Sequence, residues 1–197
     1  DRSYLAATVS GTGREHDRRY MDTHQDLAIM LPNINPYIRP SGTSLEEWCN
    51  EKISEMEETI LSIGSDKIGC FIAEPILASG GVIVPPSGYH QRSLELCKKH
   101  DIVYISDETV TGFGRLGHWF ASKEVFGIQP DIITCAKGLT SGYLPMGAAI
   151  ISERLIDNIK NKDGSQPFTN GYTYSCHPVA AKAALTNIDI MSRDSIL

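Results

Sequence analysis

The sequence predicts an α/β protein in which helices cover a mostly parallel sheet. Several short stretches are almost continuously apolar, as strands are when both faces of a sheet are buried. Helical stretches separate these runs, and this alternation is typical of parallel sheets. The 197 residues are 41% hydrophobic and carry a formal net charge of −6, which is ordinary for a globular domain.

The composition also argues against several classes of protein. No apolar run approaches the roughly 20 residues that a membrane-spanning helix needs. The mild acidic excess, without a block of Lys or Arg, disfavours nucleic acid or a membrane surface as a partner. The histidines lack metal-ligand spacing, so we expect no metal site. This stretch of sequence shows no targeting segment and no CxxC, and we expect a cytoplasmic protein whose five cysteines are reduced and mostly buried.

A helix is predicted over residues 45–63. Ser44 and Glu47 have the spacing of a capping box, in which each side chain accepts a hydrogen bond from the other residue's backbone. Apolar residues then recur at three- and four-residue spacing until Gly64 ends the pattern. The preceding residues 1–43 are rich in Pro and Gly, so we expect loops there with one short strand.

Strands and helices are predicted to alternate after this helix. The strand-like runs lie at residues 70–73, 102–105, 132–136 and 146–151. The helical patterns cover residues 88–100, begin again near Ser152, and run finally from residue 177 or 178 to Met191. A long connection without a predicted element separates the second run from the third.

The first three runs end in ionisable residues, which are Glu74, Asp107 and Lys137. Ligands of parallel sheets bind beyond the carboxyl ends of the strands. One such residue would need no explanation, because strand ends are often exposed. Three unlike charges at one edge of one sheet predict a functional site there.

Lys137 and Asp107 suit the chemistry of pyridoxal phosphate (PLP). Burial at the end of a strand disfavours the ammonium form of a lysine and makes the amine a nucleophile towards carbonyl groups, as a Schiff base requires. An aspartate one strand earlier can pair with a protonated ring nitrogen. Lys137 could then move the substrate proton as general base and general acid.

Two segments are candidates for the site of the cofactor phosphate. Residues 111–115 contain Gly-x-Gly, which alone is a weak signal and is more often a turn. Residues 171–175 offer hydroxyl groups on a flexible backbone and are the better candidate. The alternative for this second segment is a strand edge rich in Thr and Tyr.

Several motifs fall in an order and spacing that a known family shares. They are Phe71–Pro75, Ser106–Arg115, Ala136–Leu139, Tyr143–Ala148, Gly171–Ser175 and His177-Pro178. Together they resemble the class III aminotransferases over nearly the whole chain. The resemblance implies a PLP-dependent enzyme of fold type I with an aspartate-aminotransferase-like large domain.

The resemblance also implies a role for each matching residue. Lys137 would hold PLP covalently, and Asp107 would pair with the pyridine nitrogen. Thr109 would lie against the ring face opposite the substrate. Glu74 would be the strand-end glutamate near the site.

Two further residues carry implied roles at the border of the site. Thr173 would reach the cofactor phosphate of the neighbouring subunit, which implies a homodimer with shared active sites. Tyr4 would stack on the ring. The His and Gly that usually follow this aromatic residue are here Leu5 and Ala6, so the match is weaker than the others.

The sequence departs from the family pattern at four further positions. Ornithine- and 4-aminobutyrate-type members usually have Glu and Gln where this chain has Ser79 and Val110. Both changes resemble the branch that transfers amino groups from omega-amino acids or amines to pyruvate or a similar keto acid. Thr109 replaces a valine and keeps its β-branched shape. Cys176 replaces a glycine, and we expect it to disturb the turn after Thr173.

The resemblance predicts that residues 1–197 are part of the PLP-binding large domain, without an N-terminal segment and a C-terminal small domain. Two alternatives to a transaminase stay open. One is a decarboxylase, aminomutase or lyase of the same family, because these enzymes share the motifs. The other is a truncated fragment that folds and self-associates without turnover. The motifs do not identify the amino donor or the keto acid.

Overall fold

The computed structural model describes residues 20, 27–159 and 171–197. Within them, one sheet contains β1 (Cys70–Ala73), β2 (Val103–Asp107), β3 (Ile132–Cys135) and β4 (Ala148–Ile151). The order is β1-β2-β3-β4; the first three strands pair in parallel, and β4 is antiparallel to β3. The predicted α/β class with a mostly parallel sheet is confirmed.

The described helices are α1 (Leu45–Ile63), α2 (Tyr89–Lys99), α3 (Ala121–Glu124), α4 (Glu153–Ile159) and α5 (Pro178–Arg193). Four of them match predicted helices. The short helix α3 lies in the long connection and was not predicted, because four residues are too few to show a helical period. None of these helices is long and apolar enough to cross a membrane.

Three 3-10 turns complete the described elements, at Pro36–Ile38, Ser65–Lys67 and Lys137–Thr140. Residues 27–43 contain the first of these turns and no strand. The short strand that we predicted within residues 1–43 is therefore not found in their described part.

The start and end of α1 follow the predicted pattern. Glu47 donates its backbone N–H to Ser44 Oγ at 3.1 Å, and Ser44 N–H donates to Glu47 Oε2 at 2.8 Å. Gly64 ends the helix with φ at 92°, a conformation that glycine adopts without steric cost. The capping box is therefore confirmed.

The larger hydrophobic core lies between α1, α2 and the sheet. Cys49, Met56 and Cys97 of the two helices are buried in it together with Tyr104 of β2. The ring of Tyr104 packs on Phe71 of β1 with centroids 5.2 Å apart. Burial of one such side chain is worth about 1.5–3 kcal/mol, so these contacts fix the helices on the strands.

A smaller core supports the carboxyl end of β3. It joins Cys135 and Leu139 to Ala184 of α5, and Phe113, Phe120 and Met146 pack around them. Of the five free cysteines, Cys49, Cys97 and Cys135 are buried, as expected for most of them, and Cys70 and Cys176 are exposed.

Candidate active site

Three parallel strands bring the predicted ionisable residues to one edge of the sheet. Asp107 ends β2, Glu74 directly follows β1, and Lys137 lies two residues beyond β3. The register pairs Ala73 with Ser106 and Asp107 with Thr134, so the three strand ends are level. The structure therefore collects the three charges at the position where parallel sheets bind ligands.

Hydrogen bonds to one oxygen fix the orientation of the Asp107 carboxylate. Oδ1 accepts the backbone N–H of Thr109 at 3.0 Å and the hydroxyl of Thr134 at 3.2 Å. Among the described residues, Oδ2 accepts no hydrogen bond. That oxygen can pair with a protonated ring nitrogen without losing a bond inside the protein.

Lys137 lines an open cleft of about 470 Å³, whose other lining residues are Ala136, Thr140, Gly142, Leu144, Pro145 and Met146. Its side chain is exposed. We expected this lysine to be buried at the end of the strand, and that expectation is wrong. The reason is that the lysine lies past the end of β3, on a turn rather than inside the sheet.

The backbone at Lys137 is held in an uncommon conformation. Its φ is 38°, in the left-handed region that costs a non-glycine residue free energy. Gly138 follows it because a side chain there would not fit. A Cβ on Gly138 would lie 2.8 Å from Phe113 Cβ and 3.4 Å from the Gly112 carbonyl oxygen. The loop after β2 therefore packs directly against the lysine turn.

Glu74 is half-buried and holds the loop that follows β1. Its Oε2 accepts the backbone N–H of Ala78 at 3.1 Å. The loop closes where Leu77 and Ile83 exchange two backbone hydrogen bonds of 3.0 Å. Glu74 is thus a structural acceptor at the site edge, and its implied contact with the cofactor stays a prediction.

The remaining predicted residues lie apart from this arrangement or outside it. Thr109 is half-buried, two residues beyond Asp107. Thr173 is exposed in the turn Tyr172–Ser175, where Ser175 N–H donates to the Tyr172 carbonyl at 2.9 Å. This turn is not the Thr- and Tyr-rich strand edge that was the alternative. Tyr4 lies outside the described residues.

Glu108 is a fully buried carboxylate that the sequence analysis did not select. Its Oε2 accepts the Thr111 hydroxyl at 2.7 Å and the backbone N–H of Ala121 at 2.8 Å. Its Oε1 accepts the backbone N–H of Ser122 at 2.7 Å and also the Ser122 hydroxyl. Glu108 therefore ties the loop after Asp107 to the start of α3. Its place beside Asp107 was the available signal, but its partners are far along the chain.

His90 fixes the end of β1 from the core side. Its Nε2 donates to the Pro75 carbonyl at 2.9 Å, since that oxygen can only accept, and its Nδ1 then accepts the Tyr104 hydroxyl at 2.9 Å. Burial lowers the pKa of His90, and the bond to the Pro75 carbonyl opposes that change in part. The neutral ring thus holds the residue next to Glu74 in place.

A comparison with known families shows to which family this chain belongs. The family model described as aminotransferase class-III matches residues 3–197. The chain belongs to the class III aminotransferases. The predicted family is confirmed.

Relatives of known function and known structure agree with this assignment. The chain is 46% identical over 180 residues to the putrescine–pyruvate aminotransferase of Pseudomonas aeruginosa, covering 88% of this chain and 39% of that protein. An (S)-enantioselective omega-transaminase from Thermomicrobium roseum superposes with a TM-score of 0.89 at 38% identity, covering 96% of this chain and 42% of its own. The omega-transaminase of Pseudomonas jessenii, in complex with PMP, superposes with a TM-score of 0.90 at 36% identity and the same coverage. The class III chain described here therefore spans about two fifths of the length of these relatives.

The residues at the strand edge fit the cofactor of this family. Class III aminotransferases depend on PLP. A PLP ring needs an amine for its aldehyde and a carboxylate oxygen for its ring nitrogen. Lys137 offers an accessible amine in the cleft, and Asp107 offers an Oδ2 that no described residue occupies.

Proposed function

We propose that the complete protein is a PLP-dependent transaminase that transfers an amino group from an omega-amino acid or amine to a keto acid such as pyruvate, in two half-reactions of a ping-pong cycle. The observation that carries the proposal is that neighbouring strands lead to an accessible Lys137 and to an Asp107 carboxylate that has one oxygen restrained and the other available. The family assignment supports the transaminase class. The substrate class is the finer part of the proposal.

Each residue contributes a separate step to this function. PLP, when bound, supplies an electron sink for the carbanion that forms at the substrate carbon. Asp107 would pair with a protonated ring nitrogen through Oδ2, while Thr134 and Thr109 hold Oδ1. Lys137 Nζ would hold the aldehyde carbon of the cofactor and, once its amine is free, would take up and return the substrate proton as base and acid.

Two sequence positions support the choice of substrate class. Ser79 and Val110 replace the Glu and Gln of ornithine- and 4-aminobutyrate-type enzymes. Ser79 lies exposed in the loop that Glu74 holds, at the end of β1. Ser79 in place of that Glu removes a carboxylate from this loop, and with it a partner for the charged group of an arginine. A putrescine–pyruvate aminotransferase among the relatives is consistent with pyruvate as acceptor.

The proposal includes a homodimer in the cytoplasm. Thr173 is exposed and bonds none of the strand-edge residues described, which suits a role at the neighbouring subunit's cofactor phosphate. Exposed apolar side chains on α5, such as Val179 and Leu185, favour association. Light scattering that gave a clean monomer at high concentration would contradict the dimer. The free cysteines suit a reducing compartment.

Covalent trapping of PLP tests the central claim. The Lys137 amine condenses with the PLP aldehyde with loss of water, and borohydride reduces the new C=N bond to a stable secondary amine. Peptide mass spectrometry should find the adduct at Lys137 in wild type and no adduct in Lys137→Ala. Lys123→Ala, which removes an exposed lysine on α3, is the matched control and should label normally.

Turnover by the complete protein tests the substrate class. Amines and omega-amino acids with pyruvate should yield alanine and the matching aldehyde or keto compound. Release of carbon dioxide without alanine would favour the decarboxylase alternative. The same assay on residues 1–197 alone tests the fragment alternative. An adduct at Lys137 without any product would favour a fragment that binds PLP but does not turn over.

A further inference from the structure

Asn187 of α5 contacts the turn that begins at Lys137. Its Nδ2 lies 2.9 Å from the Gly138 carbonyl oxygen and 3.2 Å from the Leu139 carbonyl oxygen. Gly138 O also accepts the Ser141 N–H at 3.2 Å, whereas Asn187 is the donor that the described residues offer to Leu139 O. One side-chain amide therefore binds the carbonyls of the two residues that directly follow the lysine.

The helix that carries Asn187 is fixed against this turn. Ala184, one helical turn earlier, is buried against Cys135 and Leu139. Met191, one turn later, reaches the loop after β2, where a Cβ on Gly114 would lie 3.4 Å from Met191 Cε. Since that loop packs on Gly138 from another side, the lysine turn is held between the loop and α5.

The conformation at Lys137 needs such support. A φ of 38° is unfavourable for lysine, and strained residues persist only where their surroundings restrain them. The Asn187 amide fixes the peptide planes of the Gly138 and Leu139 carbonyls by direct hydrogen bonds. Without these bonds the turn is free to relax towards an ordinary φ, which would turn the lysine side chain away from its position in the cleft.

We infer that Asn187 is a positioning residue for Lys137: it holds the turn Lys137–Thr140 so that the lysine amine meets a carbonyl carbon bound in the cleft. The inference rests on the proposed function, because it concerns the same lysine. Asn187 acts through the backbone and does not itself touch the reacting atoms. Small misplacements of a reacting group cost large factors in rate.

The test measures the rate of borohydride-trapped PLP adduct at Lys137 as PLP concentration is varied, by mass spectrometry on the full chain. Asn187→Asp keeps the shape of the side chain but sets a carboxylate oxygen against two carbonyl oxygens. We expect the saturating rate to fall by about tenfold or more while the half-saturating PLP concentration stays within about twofold. General loss of structure would change both quantities.

Asp189→Asn is the matched control, since it exchanges the same two groups in the opposite direction at an exposed site two residues along α5. It should trap PLP at the wild-type rate. If Asn187→Asp does not fold, Asn187→Ala replaces it, and the same loss of saturating rate is expected. Wild-type trapping rates in a folded Asn187 variant would overturn the inference and leave the proposed function standing. A wild-type chain with no adduct at Lys137 would overturn both.

Discussion

The hydroxyl of Thr134 on β3 lies 3.2 Å from Oδ1 of Asp107, its register partner on β2. This bond occupies the carboxylate oxygen that the Thr109 N–H also holds, and it leaves Oδ2 for a ligand. The orientation of the proposed cofactor carboxylate therefore depends on the neighbouring strand.

Replacing this hydroxyl should weaken cofactor binding. A hydrogen bond to a charged group is worth about 1.5–3 kcal/mol, and its partial replacement by water leaves a smaller loss. We expect Thr134→Val to raise the dissociation constant for PLP by about fivefold. Thr134→Ser keeps the hydroxyl and should bind nearly as well as wild type in an absorbance titration. Wild-type binding by Thr134→Val, with weakened binding by Thr134→Ser, would mean that the methyl group, and not the hydrogen bond, matters.

The buried Glu108 carboxylate should be sensitive to loss of its charge. Glu108→Gln places an NH2 group among donors and leaves at least one of them unsatisfied, which costs about 1–3 kcal/mol. The free energy of unfolding in urea should fall by that amount. Glu124→Gln changes the same group at an exposed position of α3 and should leave stability within about 0.5 kcal/mol of wild type. Similar stabilities for the two variants would contradict the role assigned to Glu108.

His90 should make stability depend on pH. Burial lowers its pKa in the folded chain, so below the ordinary value of about 6.5 the unfolded chain binds a proton that the folded chain resists. The contribution of neutral His90 to the free energy of unfolding is therefore complete above a pH of about 6.5. It is lost as the pH falls through the lower pKa of the folded chain.

Unfolding measurements between neutral and mildly acidic pH check this. The free energy of unfolding should fall with pH in wild type and fall less steeply in His90→Gln, whatever the absolute stability of that variant. His118→Gln removes an exposed histidine and should keep the wild-type slope. An unchanged slope in His90→Gln would show that other groups cause the pH dependence.

Cys176 has a strained backbone that glycine would relieve. Its φ is 57°, so the expectation that this residue disturbs the turn after Thr173 has a structural reason. Glycine removes about 1–2 kcal/mol of left-handed strain but adds about 0.5–1 kcal/mol of chain entropy in the unfolded state. We expect Cys176→Gly to gain up to about 1.5 kcal/mol in urea unfolding. Cys176→Ala retains the Cβ and should gain nothing, so an equal gain in both would point to the thiol.

The elements that could be predicted from the sequence are those set by local patterns. The capping box at Ser44 and the apolar period after it determine α1, and continuous apolar runs locate the strands to within a few residues. The strand-end positions of Asp107 and Lys137 follow from the same runs. Short-range physics fixes these features, so one sequence is enough to find them.

The parts that could not be predicted depend on contacts between distant residues. The antiparallel direction of β4 is set by its pairing with β3, and an apolar run alone does not show direction. Burial of Glu108 depends on Ala121 and Ser122 reaching it. The exposure of Lys137 depends on where β3 ends, and the contact of Asn187 with Gly138 spans 49 positions of sequence.

The pairing of β4 with β3 separates the residues that line the cleft from the residues that form the sheet. Because Cys135 pairs with Ala148, the chain leaves the sheet after β3 and returns to the same strand, and the intervening residues 136–147 include the lining of the cleft. Both ends of this segment are anchored by the same ladder. Substitutions of its lining residues other than Lys137 can therefore reshape the cleft while the sheet, and the carboxylate on β2, stay as they are.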